Sequence, residues 1–273
     1  MSDWPQSLVL VGAGKMGEAM LRGWLAAGLE PQRVAIFEPM PSPSIVELAA
    51  RLGIPLNPAA GAVAPPDVLF LAVKPQMLEA AAPDIAPLAG AGTLVLSILA
   101  GKRIGDLEAR LPAAGAFVRV MSNTPAAVGR GASAGAASAS ASARQRAWTE
   151  SLMGAVGAYE WLADEGLIDA VTALSGSGPA YAFALVEAMA QAGESLGLPA
   201  ALAMKLARAT VEGAGELMYR EPAVPAGTLR ENVTSRGGTT AAALAVLRAP
   251  DGLAALMSRA IAAAHQRAGE LAG

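Results

Sequence analysis

The stretch that most constrains this chain runs from Leu8 to Gly28 and reads LVLVGAGKMGEAMLRGWLAAG. Four apolar residues without polar alternation, Leu8 to Val11, predict a strand buried on both faces of a parallel sheet. Met16, Met20, Trp24 and Leu25 then recur at helical spacing. Gly12, Gly14 and Gly17 therefore fall on a strand-to-helix turn, with Lys15 and Met16 in the first helical turn. In that context Gly12 permits the tight turn, Gly14 lets backbone approach a pyrophosphate, and Gly17 lets helix and strand pack closely. The helix N-terminus adds unpaired N–H groups and positive potential for the anion. Val34 to Phe37 predict a second strand, and Glu38 follows it about 20 residues beyond the glycines, where an acid accepts hydrogen bonds from ribose hydroxyls. A plain glycine turn with a solvated glutamate would also satisfy these residues. The second strand's spacing favours a nicotinamide dinucleotide site. Glu38 should repel a 2′-phosphate, and no arginine follows it until Arg51, so NADH is expected to serve at least as well as NADPH.

Further apolar runs at Asp67–Val73, Thr93–Ile98 and Phe117–Met121 alternate with helical patterns at 45–52, 77–85 and 104–111, and 54–56 reads as a short strand. Such alternation predicts an α/β fold with a parallel, doubly wound sheet. Ligands of these sheets gather beyond the carboxyl ends of the strands. Three ends are candidates to converge there: the glycine turn, Ala72-Val73-Lys74-Pro75, and Met121 to Pro125. Pro75 cannot donate to a ladder and stops its strand. The Asn123 amide suits a nicotinamide carboxamide or ribose hydroxyl; an Asx-type turn before Pro125 is the alternative.

Gly129 to Arg146, GRGASAGAASASASARQR, has the composition of a flexible linker, or of a degenerate edge strand leading into a helix. Beyond Asp164 the pattern turns helical, so two domains are expected, 1–163 and 164–273. The helix predicted over 180–196 is apolar around most of its circumference. About 110 residues of such helices cannot cover their own apolar surface, and a homodimer interlocked through them is expected. With 53% hydrophobic residues against 16% charged, the chain suits oligomeric burial.

Several classes drop out. The absence of cysteine removes disulfides, thiolate nucleophiles and Cys-ligated metals, and the single His265, on an alanine-rich helical pattern, makes no metal site and reads as a surface residue. A net charge of −3 with 4% aromatics offers nothing to nucleic acid. Glu187, Gln191 and Glu194 interrupt the best candidate membrane segment, and the opening MSDWPQ has no basic run. A cytoplasmic protein without a membrane or nucleic-acid partner is expected.

Two polar clusters interrupt the helices. Thr172 to Tyr181, TALSGSGPAY, places Ser177 as a plausible N-cap ahead of Pro179. Asn232 to Thr240, NVTSRGGTT, sets hydroxyls and glycines at a helix start, a natural carboxylate cradle, although an ordinary capped turn fits as well.

GAGKMG, DVLFLAVKPQ, SNTP, DAVTALSGSGPAYAF and LRENVTSRGGTT stand in an order and spacing that resembles the pyrroline-5-carboxylate reductases from about Leu8 to beyond Leu247. The resemblance implies a Rossmann domain followed by an all-α dimerisation domain, with dimers often assembling further. It implies reduction of L-1-pyrroline-5-carboxylate to L-proline by NAD(P)H, the last step of proline biosynthesis. Carried over, Gly12 to Gly17, Ala72 to Pro75 and Asn123 would bind cofactor, and Ser235, Gly238, Thr239 and Thr240 would hold the substrate carboxylate. Thr172 would hydrogen-bond the ring nitrogen. Arg236 stands where the family usually has proline, and the family's glutamate near the substrate amine finds only Glu221, at a different spacing. A related NAD(P)-dependent reductase of another cyclic imine or small hydroxy acid is the competing reading.

Overall fold

The computed structural model describes residues 3–59 and 61–272. Two compact units result: the chain through Gly176 with the end from His265, and residues 177–264.

In the first unit the apolar runs form β1 (Leu8–Val11), β2 (Val34–Phe37), β3 (Val68–Leu71), β4 (Leu94–Ser97) and β5 (Ala116–Met121). They alternate with α1 (Lys15–Ala26), α2 (Pro43–Leu52), α3 (Leu78–Ile85) and α4 (Ile104–Arg110), as their patterns predict. β6 (Gly131–Ala137), α5 (Ala143–Gly154), β7 (Gly157–Trp161) and the short α6 (Ile168–Val171) complete the unit. The strand order is β2-β1-β3-β4-β5-β6-β7. It reverses direction between β1 and β3, so the ligand crevice of a doubly wound sheet opens there.

Alternate side chains build two cores. Leu8, Leu10, Phe70 and Val118 pack with Met20 and Trp24 of α1 and Trp148 and Leu152 of α5 on one face. Val9, Val11, Leu69 and Leu71 pack with Leu78, Ile85 and Leu107 on the other. Coverage of both faces explains why these strands read as unbroken apolar runs. Trp24 lies edge-on to Phe70 at 4.8 Å and donates its indole N–H to the Leu152 carbonyl at 2.9 Å, so its one polar atom is satisfied inside the core.

Two segments depart from the sequence reading. Residues 54–56 make only a single bridge, Leu56 to Ile36, rather than a strand. Asn57 follows with a left-handed φ of 50°, turning the chain away. The glycine–alanine–serine stretch is no linker but a strand leading into a helix, β6 into α5, and it is not at the edge: β6 lies inside the sheet, antiparallel to β5 and parallel to β7. Its small residues are a packing requirement. A Cβ at Gly135 would come within 2.7 Å of the Tyr159 hydroxyl and 2.8 Å of Val120 Cγ2. Among the described residues that hydroxyl is buried without a hydrogen-bond partner, and burial raises its pKa far above the ordinary tyrosine range.

The α6 helix runs straight into a π-helical turn, Thr172–Gly176. Packing groups 164–176 with the sheet unit, whereas composition drew the line at Asp164. Ser177 occupies the N-cap position of the next helix but makes no side-chain cap and is itself helical, φ −84° and ψ −15°. The chain enters from a helical turn rather than from extended backbone, the geometry in which a serine cap works.

The second unit holds α7 (Gly178–Ser195), α8 (Ala200–Arg220), α9 (Ala226–Asn232), α10 (Thr239–Leu247) and the start of α11 (Leu253–Ala272). α7 and α8 meet through small residues: Ala190, Ala203 and Ala207 are buried, and a Cβ at Gly193 would lie 3.3 Å from that of Ala203. Phe183, Leu185, Leu206 and Val246 are exposed on this chain, and so is His265 on α11, as expected. Among the described residues no helix is long and apolar enough to cross a membrane.

Candidate active site

Backbone bonds from the Gly12 N–H to Phe37 and from the Ala72 N–H to Val11, both 2.8 Å, draw the ends of β1, β2 and β3 together. Gly12 has φ +91°, and a Cβ there would stand 2.6 Å from the Val73 nitrogen. A side chain at Gly17 would collide with the Gly12 carbonyl, while the space above Gly14 is open. Gly12 thus makes a tight turn and Gly17 a close helix–strand contact, and Gly14 leaves its side of the turn open. Gly14 is the N-cap of α1 and no side chain caps that helix, which leaves first-turn N–H groups at Lys15 and Met16 for an anion.

A cavity of about 730 Å³ opens beside this turn, lined by Gly12, Gly14, Glu38, Ala72, Val73 and Lys74 of the predicted set. It is of the size cofactor sites have. Pro75 starts a 3₁₀ turn immediately beyond, and Lys15, Met16 and Gly17 lie in α1 outside the cavity wall. Sequence reasoning missed Met40, Asn57, Met77 and Asp84, which also line it. They come from turns and from the exposed side of α3, where no motif marks them. The glycine cradle, the uncapped helix and the cavity together fit a dinucleotide.

Glu38 is held in place. One carboxylate oxygen accepts from the Ala13 N–H at 2.8 Å and the other from the Met40 N–H at 3.0 Å. Its backbone is clamped by Asn57, whose side chain accepts from the Glu38 N–H and donates to the Glu38 carbonyl, each at 2.8 Å. The left-handed Asn57 turn thus substitutes for the missing strand and fixes the acid at the cavity's edge.

Asn123 differs from its expected setting. The residue is 8% exposed, and its amide donates to the Ser175 carbonyl at 3.0 Å and accepts from the Ala132 N–H at 2.9 Å. Thr172, on the π-helical turn, is half-buried and its hydroxyl donates to the Ile168 carbonyl at 2.8 Å.

Within the helical unit, the polar cluster folds as read. Gly237 turns left-handed at φ +71°, Gly238 becomes the N-cap of α10 without a side-chain cap, and Thr239 and Thr240 open the helix. A Cβ at Gly238 would lie 2.5 Å from the Ser235 hydroxyl, so glycine is what lets that hydroxyl stand over the helix start. Ser235, Arg236 and Thr239 are exposed, and so is Glu221 at the end of α8.

A Rossmann-type sheet with a glycine cradle, joined to a helical unit bearing a hydroxyl-rich helix start, defines the class of dinucleotide-dependent reductases with an α-helical second domain. The family profile described as "Pyrroline-5-carboxylate reductase dimerisation" matches residues 165–271, and "NADP oxidoreductase coenzyme F420-dependent" matches 7–101. A pyrroline-5-carboxylate reductase of Pseudomonas aeruginosa is 41% identical over 97% of this chain and 96% of its own. The solved pyrroline-5-carboxylate reductase of Coxiella burnetii superposes with a TM-score of 0.89 at 33% identity, over 98% of this chain and 99% of that one. That of Plasmodium falciparum, solved with NADP bound, gives 0.79 at 26% identity over 98% of each chain. The chain belongs to the pyrroline-5-carboxylate reductase family.

Proposed function

We infer that this protein reduces L-1-pyrroline-5-carboxylate to L-proline with NAD(P)H. The observation that carries the reading is the coexistence in one chain of the dinucleotide cavity and the uncapped α10 start with Ser235, Thr239 and Thr240 around it. A carboxylate there would meet backbone N–H groups, hydroxyls and the positive end of the helix.

The chemistry asks little of the protein in the way of acids. A protonated cyclic imine is already an electrophile, so orientation dominates, and a chain without cysteine and with one exposed histidine suffices. When bound, the reduced nicotinamide supplies a hydride. The glycine turn and α1 N-terminus hold the pyrophosphate, Glu38 the adenine ribose, and Ala72 to Pro75 the nicotinamide half. Thr172 takes the ring nitrogen. Its hydrogen is committed to Ile168, so its oxygen offers lone pairs and accepts from the iminium N–H rather than donating to it. Arg236, exposed beside the cradle, adds a cation near the substrate anion. The working unit is a homodimer through the helical domain.

The test is soaking crystals with cofactor and proline. The reading expects the proline carboxylate against Ser235 to Thr240; an acid group bound elsewhere overturns it.

A further inference from the structure

Thr172 opens the π-helical turn that follows α6, and one row of side chains on β5 grips that turn. Arg119 and Met121 share a face of the strand because successive residues alternate. Asn123 continues the alternation in extended backbone, φ −134° and ψ 167°. Arg119, its side chain only 4% exposed, pairs with Glu165 at 3.2 Å and Asp169 at 3.8 Å, on the two sides of the turn into α6. Glu165 also accepts the Ile104 N–H at 2.8 Å. A methyl group at Gly176 would collide with the end of Met121, so the thioether rests against the last residue of the π-helical turn. Asn123 closes the row by donating to the Ser175 carbonyl and accepting from Ala132 at the start of β6. The residues gripped, 165, 169, 175 and 176, bracket Thr172 on both sides.

A π-helical turn spaces its carbonyls for i→i+5 bonds and leaves some without a regular partner. A partly buried carbonyl in that position is stabilised when a donor reaches it, and the Asn123 amide is a donor to Ser175. Each end of its amide is thus engaged within the fold, and only 8% of the residue's surface is exposed.

We propose that Asn123, backed by Met121 and Arg119, is a positioning residue for Thr172, and that it acts on the reaction through the π-helical turn rather than by touching the cofactor. The proposal rests on the reading of Thr172 as the partner of the ring nitrogen. It replaces the direct cofactor contact that the sequence suggested for Asn123.

The experiment is a double-mutant cycle with the full-length enzyme, reading NADH affinity and kcat/KM for pyrroline-5-carboxylate separately. Asn123→Ala is expected to bind NADH within twofold of the unmodified enzyme and to lose tenfold or more in kcat/KM. Combined with Thr172→Ala it should be no worse than Thr172→Ala alone, within twofold, because both act through one group. Should Asn123→Ala fail to fold, Asn123→Asp takes its place in the cycle. It keeps the acceptor for Ala132 and sets a carboxylate against the Ser175 carbonyl, and the same pattern is expected. A tenfold loss of NADH affinity would return Asn123 to the cofactor site and overturn the proposal. So would losses that multiply in the double variant, or full activity in both Asn123 variants. Full activity in Thr172→Ala alone would instead remove the Thr172 reading beneath it, and is seen before the cycle is closed.

Discussion

At the scale of single residues, Glu38 and Thr172 carry the most. Glu38 is anchored by two backbone N–H groups and by Asn57, so a 2′-phosphate would have to displace or face a fixed negative charge, with Asp84 lining the same cavity. NADH should therefore give a kcat/KM at least equal to that of NADPH. Glu38→Ser should raise the NADPH/NADH ratio about tenfold, a change of ~1.4 kcal/mol; a native enzyme favouring NADPH by more than that would contradict the argument. Thr172→Val, which keeps the shape and removes the acceptor, should lower kcat/KM for the imine about tenfold or more and leave NADH binding unchanged. Motif residues were legible in the sequence because their backbone requirements are local: a glycine at φ +91° announces itself. Asn57 was not, because its clamp on Glu38 depends on a turn that no periodicity records. Asn123 was half legible; its place at a strand end was evident, but its partners, Ala132 nine residues on and Ser175 52 residues on, are set by the fold.

At the scale of elements, the lesson lies in β6. A run of Gly, Ala and Ser carries no hydrophobic signal, yet between β5 and β7 it is the sequence the packing demands. Gly135→Ala should lower the melting temperature by several degrees, since overpacking costs about 1–3 kcal/mol and each kcal/mol moves a domain of this size roughly 2–4 °C. An unchanged melting temperature would show that Tyr159 and Val120 give way freely. Gly17→Ala, whose Cβ would meet the Gly12 carbonyl, should abolish measurable NADH binding, checked by fluorescence titration. The lone Arg119 in the apolar run FVRVM was the one sequence sign that β5 had a charged neighbour. The partners Glu165 and Asp169 could not be named without the fold.

At the scale of the molecule, helices α7, α8 and α10 leave Phe183, Leu206 and Val246 in water, more apolar surface than a stable monomer ordinarily exposes. The dimerisation profile matched over 165–271 accounts for it. Sedimentation at micromolar concentration should therefore find a species of at least twice 27.3 kDa. Phe183→Glu should shift it toward monomer and lower activity with it; a stable, active monomer would contradict the dimer. The central claim concerns the reaction itself, and one assay addresses it: oxidation of NADH and NADPH with pyrroline-5-carboxylate beside its six-membered analogue. Turnover of the five-membered imine at a kcat/KM at least tenfold above the six-membered one is the predicted result. Equal rates, or no oxidation with the five-membered imine, would contradict the account.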